Sequence, residues 1–236
     1  MLVTLKKEQL KNNLQEIKSR NSNVVFLIKR QLLFDDLCET LKDEKVYSTG
    51  SDQYENIYDS EDCVVVDAFD NREGITLDEA KTYNKKKTAI VNFACCNGLL
   101  PTVQEVNEIY DKLKSYGWEK VSMGGSLMLW YENIKADEIR VGETFLTGYH
   151  TMYNEYYMNC KNPFEVLVDI HKENKNNWII NTGFQYFSGF TNCSPECVNT
   201  DFTVISKKHK IKVGNKLRLE PDYYTLMKLA FNGYIR

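Results

Sequence analysis

Through residues 1–150 the chain alternates short apolar runs with amphipathic stretches, and few folds absorb that rhythm. NVVFLI, KVYSTG, DCVVVDAF, TAIVNFACC and EKVSMGG are apolar or β-branched runs of strand length. Unbroken apolar character predicts burial on both faces, as in a parallel sheet. Helical patterns lie between them. KKEQLKNNLQEIKSRN carries Leu10, Leu14 and Ile17 on one face and predicts a helix over 6–19. LLFDDLCETLKDE reads as another, and a weak helical stretch surrounds Tyr54 to Tyr58. Thr76-x-x-Glu79 is a capping box that opens TLDEAKTYNKK. PTVQEVNEIYDKLKSYG places Val103, Val106, Ile109 and Leu113 on one face, with Pro101 near a threonine cap and Gly117 closing it. EIRVGETFLTG reads as a further strand. The alternation predicts a parallel α/β sheet, open or barrel-shaped.

After residue 150 the helical period fades. FEVLVDIHK, NWIINTGF, DFTVISK and NKLRLEPDY are alternating or β-branched runs separated by Asn, Gly and Pro, which predicts a separate antiparallel β-domain over 151–236. Thirty basic and 33 acidic side chains give a net charge of -3, without the basic field of a general nucleic-acid binder. No apolar run reaches the roughly 18 residues of a membrane span. The N-terminus turns charged at once, without the apolar core of a signal peptide, so a cytoplasmic location is expected. The seven cysteines, Cys38, Cys63, Cys95, Cys96, Cys160, Cys193 and Cys197, make an odd count that argues against a disulfide framework. Neither Cys95-Cys96 nor Cys193-x3-Cys197 has a neighbouring histidine, since His150, His171 and His209 are the only ones, so no metal site is expected.

Four positions at the ends of predicted strands carry possible chemistry. Lys29 ends NVVFLI; at the mouth of a buried strand it is either a desolvated amine nucleophile or a lysine reaching into solvent. Arg72, in DNREG, is either a bidentate carboxylate clamp or an ordinary loop arginine. Gly124-Gly125-Ser126 offers either a phosphate-binding turn or a simple turn. Arg140, among apolar neighbours in EIRVGE, needs a carboxylate or a ligand acceptor if buried.

In this order, lysine, arginine, glycine-serine and arginine-x-glycine on successive α/β units followed by a β-domain, the chain resembles the alanine racemase family of fold-type III pyridoxal-phosphate enzymes. It is most similar to the ornithine racemase branch. EIRVGETFLTG carries most of the resemblance, with DAFDNREG, VNFACCNGLLPT and KVGNKLRLEPDYYTLMKLAF in register along nearly the whole chain. The resemblance implies pyridoxal 5'-phosphate (PLP) as cofactor. It implies that Lys29 forms the internal aldimine and acts as a base at the substrate α-carbon. Arg140 matches the arginine facing the pyridine nitrogen, and Arg72 the arginine near the cofactor phenolate and substrate carboxylate. Ser126, with the backbone of Gly142 and Glu143, matches the phosphate cradle. Asn92 falls where many relatives have a histidine beside the ring.

The chain also departs from the family pattern. Its α/β part is about 150 residues against roughly 250 for a typical barrel, and KVYSTG is the one clear strand between Lys29 and the DCVVVDAF strand that precedes Arg72. The expectation is therefore a truncated or incomplete TIM-like barrel, open or completed by a second chain. The insertion that supplies a second-base tyrosine in alanine racemases is missing from FEVLVDIHKENKNNWIINTGF. Tyr153, Tyr156, Tyr157 and Tyr186 fit no motif and are read as packing; Tyr223 lies in a matched segment without a role. The reading is a PLP-dependent amino-acid racemase (an isomerase), on a basic amino acid such as ornithine, in a homodimer or a heteromer with a paralogue. The alternative is a degenerate member that binds PLP or a partner chain without racemising. A PLP-homeostasis protein of the same fold family usually lacks the β-domain, so residues 151–236 count against it.

Overall fold

The computed structural model describes residues 1–49, 55–57, 61–69, 73–93 and 100–235. In chain order, β1 (Leu2–Leu5) and α1 (Lys7–Arg20) precede β2 (Val24–Lys29), α2 (Asp35–Thr40), β3 (Val46–Thr49), β4 (Glu55–Asn56), β5 (Cys63–Asp67) and β6 (Ile75–Thr76). Next come α3 (Leu77–Thr82), β7 (Thr88–Asn92), α4 (Val103–Ser115), β8 (Lys120–Gly124), β9 (Glu138–Val141) and α5 (Glu143–Thr147). The remainder holds β10 (Tyr149–His150), β11 (Glu155–Tyr156), β12 (Phe164–Glu173), β13 (Asn177–Ile180), β14 (Pro195–Val198), β15 (Thr203–Ser206), β16 (Lys212–Val213), β17 (Lys216–Leu219) and α6 (Tyr223–Phe231). The chain divides into two compact units. One comprises Ile17–Arg30 and Leu41–Gly142; the other comprises Met1–Glu16, Gln31–Thr40 and Glu143–Arg236.

The first unit is built on a parallel sheet in the order β4-β3-β2-β9-β8-β7-β5-β6. Its first strand, β2, pairs with its last long strand, β9, which is the closure expected of a ring rather than of an open doubly wound sheet. Among the described residues β4 and β6 are the two ends of this order and do not pair with each other. The sheet is nevertheless curled. Val25, Tyr47, Ile57 and Ile90 form one buried cluster, with Leu27, Cys63 and Val65 packed against it. Along the sheet β9 and β8 separate β2 from β7, so side chains of both flanks meet only because the sheet bends towards this inner face. The outcome is an α/β fold with a partial barrel. α3 begins at the expected capping box, Thr76 with Glu79, and α4 at the expected threonine cap, where Thr102 also forms a box with Glu105. α4 buries Val106, Ile109 and Leu113, the face read from the sequence.

Two local expectations are corrected. Glu55 and Asn56 lie in a short strand parallel to Tyr47–Ser48 instead of a helix; Tyr54 and Tyr58 lie outside the described residues. EIRVGETFLTG is not one strand. It ends at Val141, and Glu143–Thr147 turns helical. There Thr147 Oγ1 donates to the Glu143 carbonyl at 2.9 Å, an intrahelical bond that the apolar run does not announce.

The second unit carries the separate antiparallel sheet, β14-β15-β13-β12-β17-β16, with β1 paired to β12 from Leu2↔Leu167 to Leu5↔Phe164. Its core gathers Val166, Val168, Trp178, Ile180, Phe187, Leu217 and their neighbours. β12 and β13 are joined by a tight turn in which Asn174 Oδ1 accepts the N–H groups of Asn176 and Asn177 at 3.0 and 2.8 Å. The turn has no room for the tyrosine-bearing insertion of alanine racemases. α6 is an element the sequence reading passed over. Asp222 caps it through the Thr225 N–H at 2.7 Å, and it buries Leu226 and Leu229. Among the described residues no helix is long and apolar enough to cross a membrane.

Candidate functional site

The inner face of the curled sheet carries a row of three aligned residues. Parallel pairing sets Asn92 of β7 beside Gly124 of β8, and Gly124 beside Arg140 of β9. Aligned residues of neighbouring strands project to the same face. Arg140 is 1% exposed. Its guanidinium crosses the bare backbone of Gly124. Nη2 donates to the Val91 carbonyl and to Asn92 Oδ1, both at 2.8 Å, and Nη1 donates to the Ser122 carbonyl. A Cβ on Gly124 would stand 2.1 Å from Nη2 and 3.0 Å from Asn92 Oδ1. Glycine is required here by a side chain from the next strand, not by a ligand approaching the backbone. The far end of the Asn92 amide donates to Glu73 Oε1 at 3.3 Å.

Val25 is aligned with Arg140. Side chains alternate along a strand, so Val25, Leu27 and Lys29 share the inner face. Lys29 is its exposed last residue, at the C-terminal end of the strand beside β9. Deeper on the same face, two residues before Arg140, Glu138 closes the opposite end. Its carboxylate accepts from Lys45 Nζ at 2.7 Å, Lys120 Nζ at 3.0 Å and the Tyr47 hydroxyl at 3.2 Å. Burial pushes this carboxyl up, and the two ammonium groups more than reverse it, leaving it below the usual carboxylate range.

Ser126 is buried in a short 3-10 turn after Gly125 and accepts the Gly142 N–H on its Oγ at 3.3 Å. A Cβ on Gly142 would lie 2.5 Å from the Leu27 carbonyl. The structure thus brings together two pairs of the expected site residues, Asn92 with Arg140 and Ser126 with Gly142, and puts Lys29 on the face of the first pair. Arg72 lies outside the described residues. Glu143 belongs to the other unit. Its carboxylate accepts from the Thr151 N–H at 2.8 Å and the Thr151 hydroxyl at 2.5 Å, and lies 3.8 Å from His150 Nε2. Burial pushes the Glu143 carboxyl up and the His150 imidazole down to about 4. Glu73 escaped the sequence reading because a charged loop residue looks solvated. Its nearness to Asn92 depends on pairing between strands distant in sequence.

The tyrosines of the antiparallel unit are engaged locally. Tyr156 donates to Thr191 Oγ1 and Glu220 Oε2 at 2.7 and 2.8 Å. Tyr153 packs on His150, Tyr186 meets Tyr234 edge-on, and Tyr157 is buried. Burial, then the Glu143 charge, pushes the Tyr223 hydroxyl upward. Burial pushes the Cys160 and Cys193 thiols up to about 12, so both stay protonated at neutral pH. Cys95 and Cys96 lie outside the described residues, among which no cluster of metal-ligating side chains occurs.

No protein-family model and no curated protein matches the chain. Solved structures do. Alanine racemase from Acinetobacter baumannii aligns over 94% of this chain and 90% of its own, with a TM-score of 0.65 at 14% identity. The fold is alanine racemase-like. D-threo-3-hydroxyaspartate dehydratase from Delftia sp. aligns over 98% of this chain and 92% of its own, at TM-score 0.61 and 10% identity. Histidine racemase from Leuconostoc mesenteroides subsp. sake aligns over 98% and 92%, at TM-score 0.54 and 13% identity. At such identities the likeness is one of alanine racemase-like architecture, a frame that in these solved structures serves racemases and a dehydratase alike.

Proposed function

We propose that this chain is a PLP-dependent enzyme acting at the α-carbon of an amino acid, by racemisation of a basic amino acid such as ornithine. The observation that supports it is the row Asn92–Gly124–Arg140, with Lys29 on the same face at the end of the adjoining strand. The residues present fit the group. A buried guanidinium fixed across a glycine faces the inner surface, an amine stands at the rim, and a buried serine sits with a glycine N–H. PLP, when bound, withdraws electrons from the α-carbon and makes its proton removable. Lys29 would hold the cofactor covalently and then take or return the α-proton at Nζ. Arg140 would face the ring nitrogen. A guanidinium does not give up its proton, so it keeps that nitrogen from being protonated. Ser126 Oγ, with the Gly142 backbone, would hold the phosphate, and Arg72 the substrate carboxylate.

The test is the visible spectrum of the purified chain with added PLP, followed by borohydride reduction and peptide mass mapping. The expected result is a cofactor band and a reduced adduct on Lys29; no band and no adduct would sink the reading. That β4 and β6 do not pair among the described residues favours a second reading. In it the chain binds PLP or a partner, a second copy or a paralogue, without racemising. Stereoinversion of a free amino acid by the purified chain alone would count against it.

A further inference from the structure

Gly74 lies closely against β5. Gly74 has φ +105°, and a Cβ there would lie 2.4 Å from the Val65 carbonyl, so only glycine permits the approach. Ile75 and Thr76 then pair with Val66 and Asp67. This pairing sets Glu73 near the C-terminal end of the inner face, where its Oε1 accepts the Asn92 Nδ2–H at 3.3 Å. The other end of the same amide accepts from Arg140 Nη2 at 2.8 Å. The two ends of a carboxamide match in size and are opposite in hydrogen bonding. Turned over, Asn92 would set a donor against the guanidinium and an oxygen against the carboxylate. Glu73 and Arg140 therefore select one and the same orientation of Asn92.

We propose that Glu73 is a positioning residue, which holds the Asn92 amide oxygen on Arg140 and so keeps the guanidinium aligned across Gly124. Glu73 is exposed and acts through Asn92 rather than on a reacting group. The Val91 and Ser122 carbonyls anchor Arg140 through the backbone of the neighbouring strands, and the Asn92 contact links it to Glu73. The consequence for cofactor affinity rests on the PLP reading above; the orientation itself does not.

The test is made on the full chain without added cofactor, by hydrogen exchange of the Asn92 side-chain amide in nitrogen-15 spectra, with Asn92→Asp identifying the signal. Glu73→Ala is expected to speed that exchange about tenfold, the loss of one hydrogen bond to a charged group. Glu73→Gln keeps an acceptor oxygen and is expected to restore slow exchange. With PLP added, Glu73→Ala should weaken binding between about threefold and tenfold, and Glu73→Gln much less. Unchanged exchange in Glu73→Ala, or equal loss in both variants, overturns the inference. If the wild-type chain binds no PLP, the proposed function falls, and the exchange comparison still decides the role of Glu73.

Discussion

The antiparallel sheet and the curled parallel sheet bury their inner surfaces with different side chains. Around Trp178, Phe187 and Leu217 the buried cluster is apolar throughout. On the curled sheet, the apolar cluster of Val25, Tyr47 and Ile90 shares the inner face with a buried Glu138 and a buried Arg140. An apolar surface needs only volume. A buried charge needs particular partners at particular distances, and building it costs stability unless it is fully bonded. The contrast teaches where the chain has spent sequence on shape and where on polarity: the face of the antiparallel sheet around Trp178 is packed with apolar side chains, and the curled sheet sets fixed charges beside such side chains on its inner face.

Substitutions that remove packing or polarity separately sharpen this contrast. The largest effect is expected from Phe187→Ala, which removes a fully buried ring packed edge-on against Phe190 at 4.9 Å. It should destabilise the chain by about 3–5 kcal/mol in denaturant titration. Gly124→Ala comes next. Adding one methyl 2.1 Å from the Arg140 guanidinium should cost about 1–3 kcal/mol, although a buried alanine is otherwise harmless. An unchanged midpoint would mean that Arg140 moves aside without penalty, and the contrast would be lost.

Acid titration distinguishes the same two regions by pH window. His150 is held down at about 4 against an ordinary 6.5, so between these values the unfolded chain binds the extra proton. Stability should fall as pH drops through that window, and His150→Gln should remove the slope. Glu138 is also held below its ordinary 4.5; its contribution is complete above that value and is lost only as pH falls below it. Glu138→Gln should cost about 1–2 kcal/mol at neutral pH, and the difference from wild type should shrink in acid. The smallest effect belongs to Glu173→Gln, an exposed partner of Lys207 and Lys212. It should leave the denaturation midpoint essentially unchanged, because exposed ion pairs are screened by solvent.

Much of this arrangement is legible in the sequence, and the remainder divides by physical cause. NVVFLI and TAIVN are strands because burial on both faces leaves no period to misread. Thr76 and Thr102 mark helix starts because a capping box is local chemistry. Leu2–Leu5 is legible as a strand, but its partner at Leu167 is not, since four residues carry no register. α6 is hidden in the sequence because Tyr223 and Tyr224 after Pro221 look like the continuation of a β-run, and Asp222 is the local signal of the cap. Arg140 was legible as a buried cation needing acceptors. Its actual acceptors, Asn92 and two strand carbonyls, and the need for Gly124 follow from alignment between segments far apart in the chain.

The pairing of β2 with β9 also bears on how the chain comes to be made. Val25 finds Arg140 only about 115 residues later, which at ribosomal rates means a wait of about 6–23 s. During that time one edge of Val-Val-Phe-Leu-Ile has neighbours on the β3 side alone. A short, uncharged, β-branched edge left open is a segment prone to pairing with other nascent chains. High contact order makes completing this seam a slow step of folding. The yield of this protein in a cell should therefore depend on holdase chaperones and on expression temperature more than its finished stability would indicate.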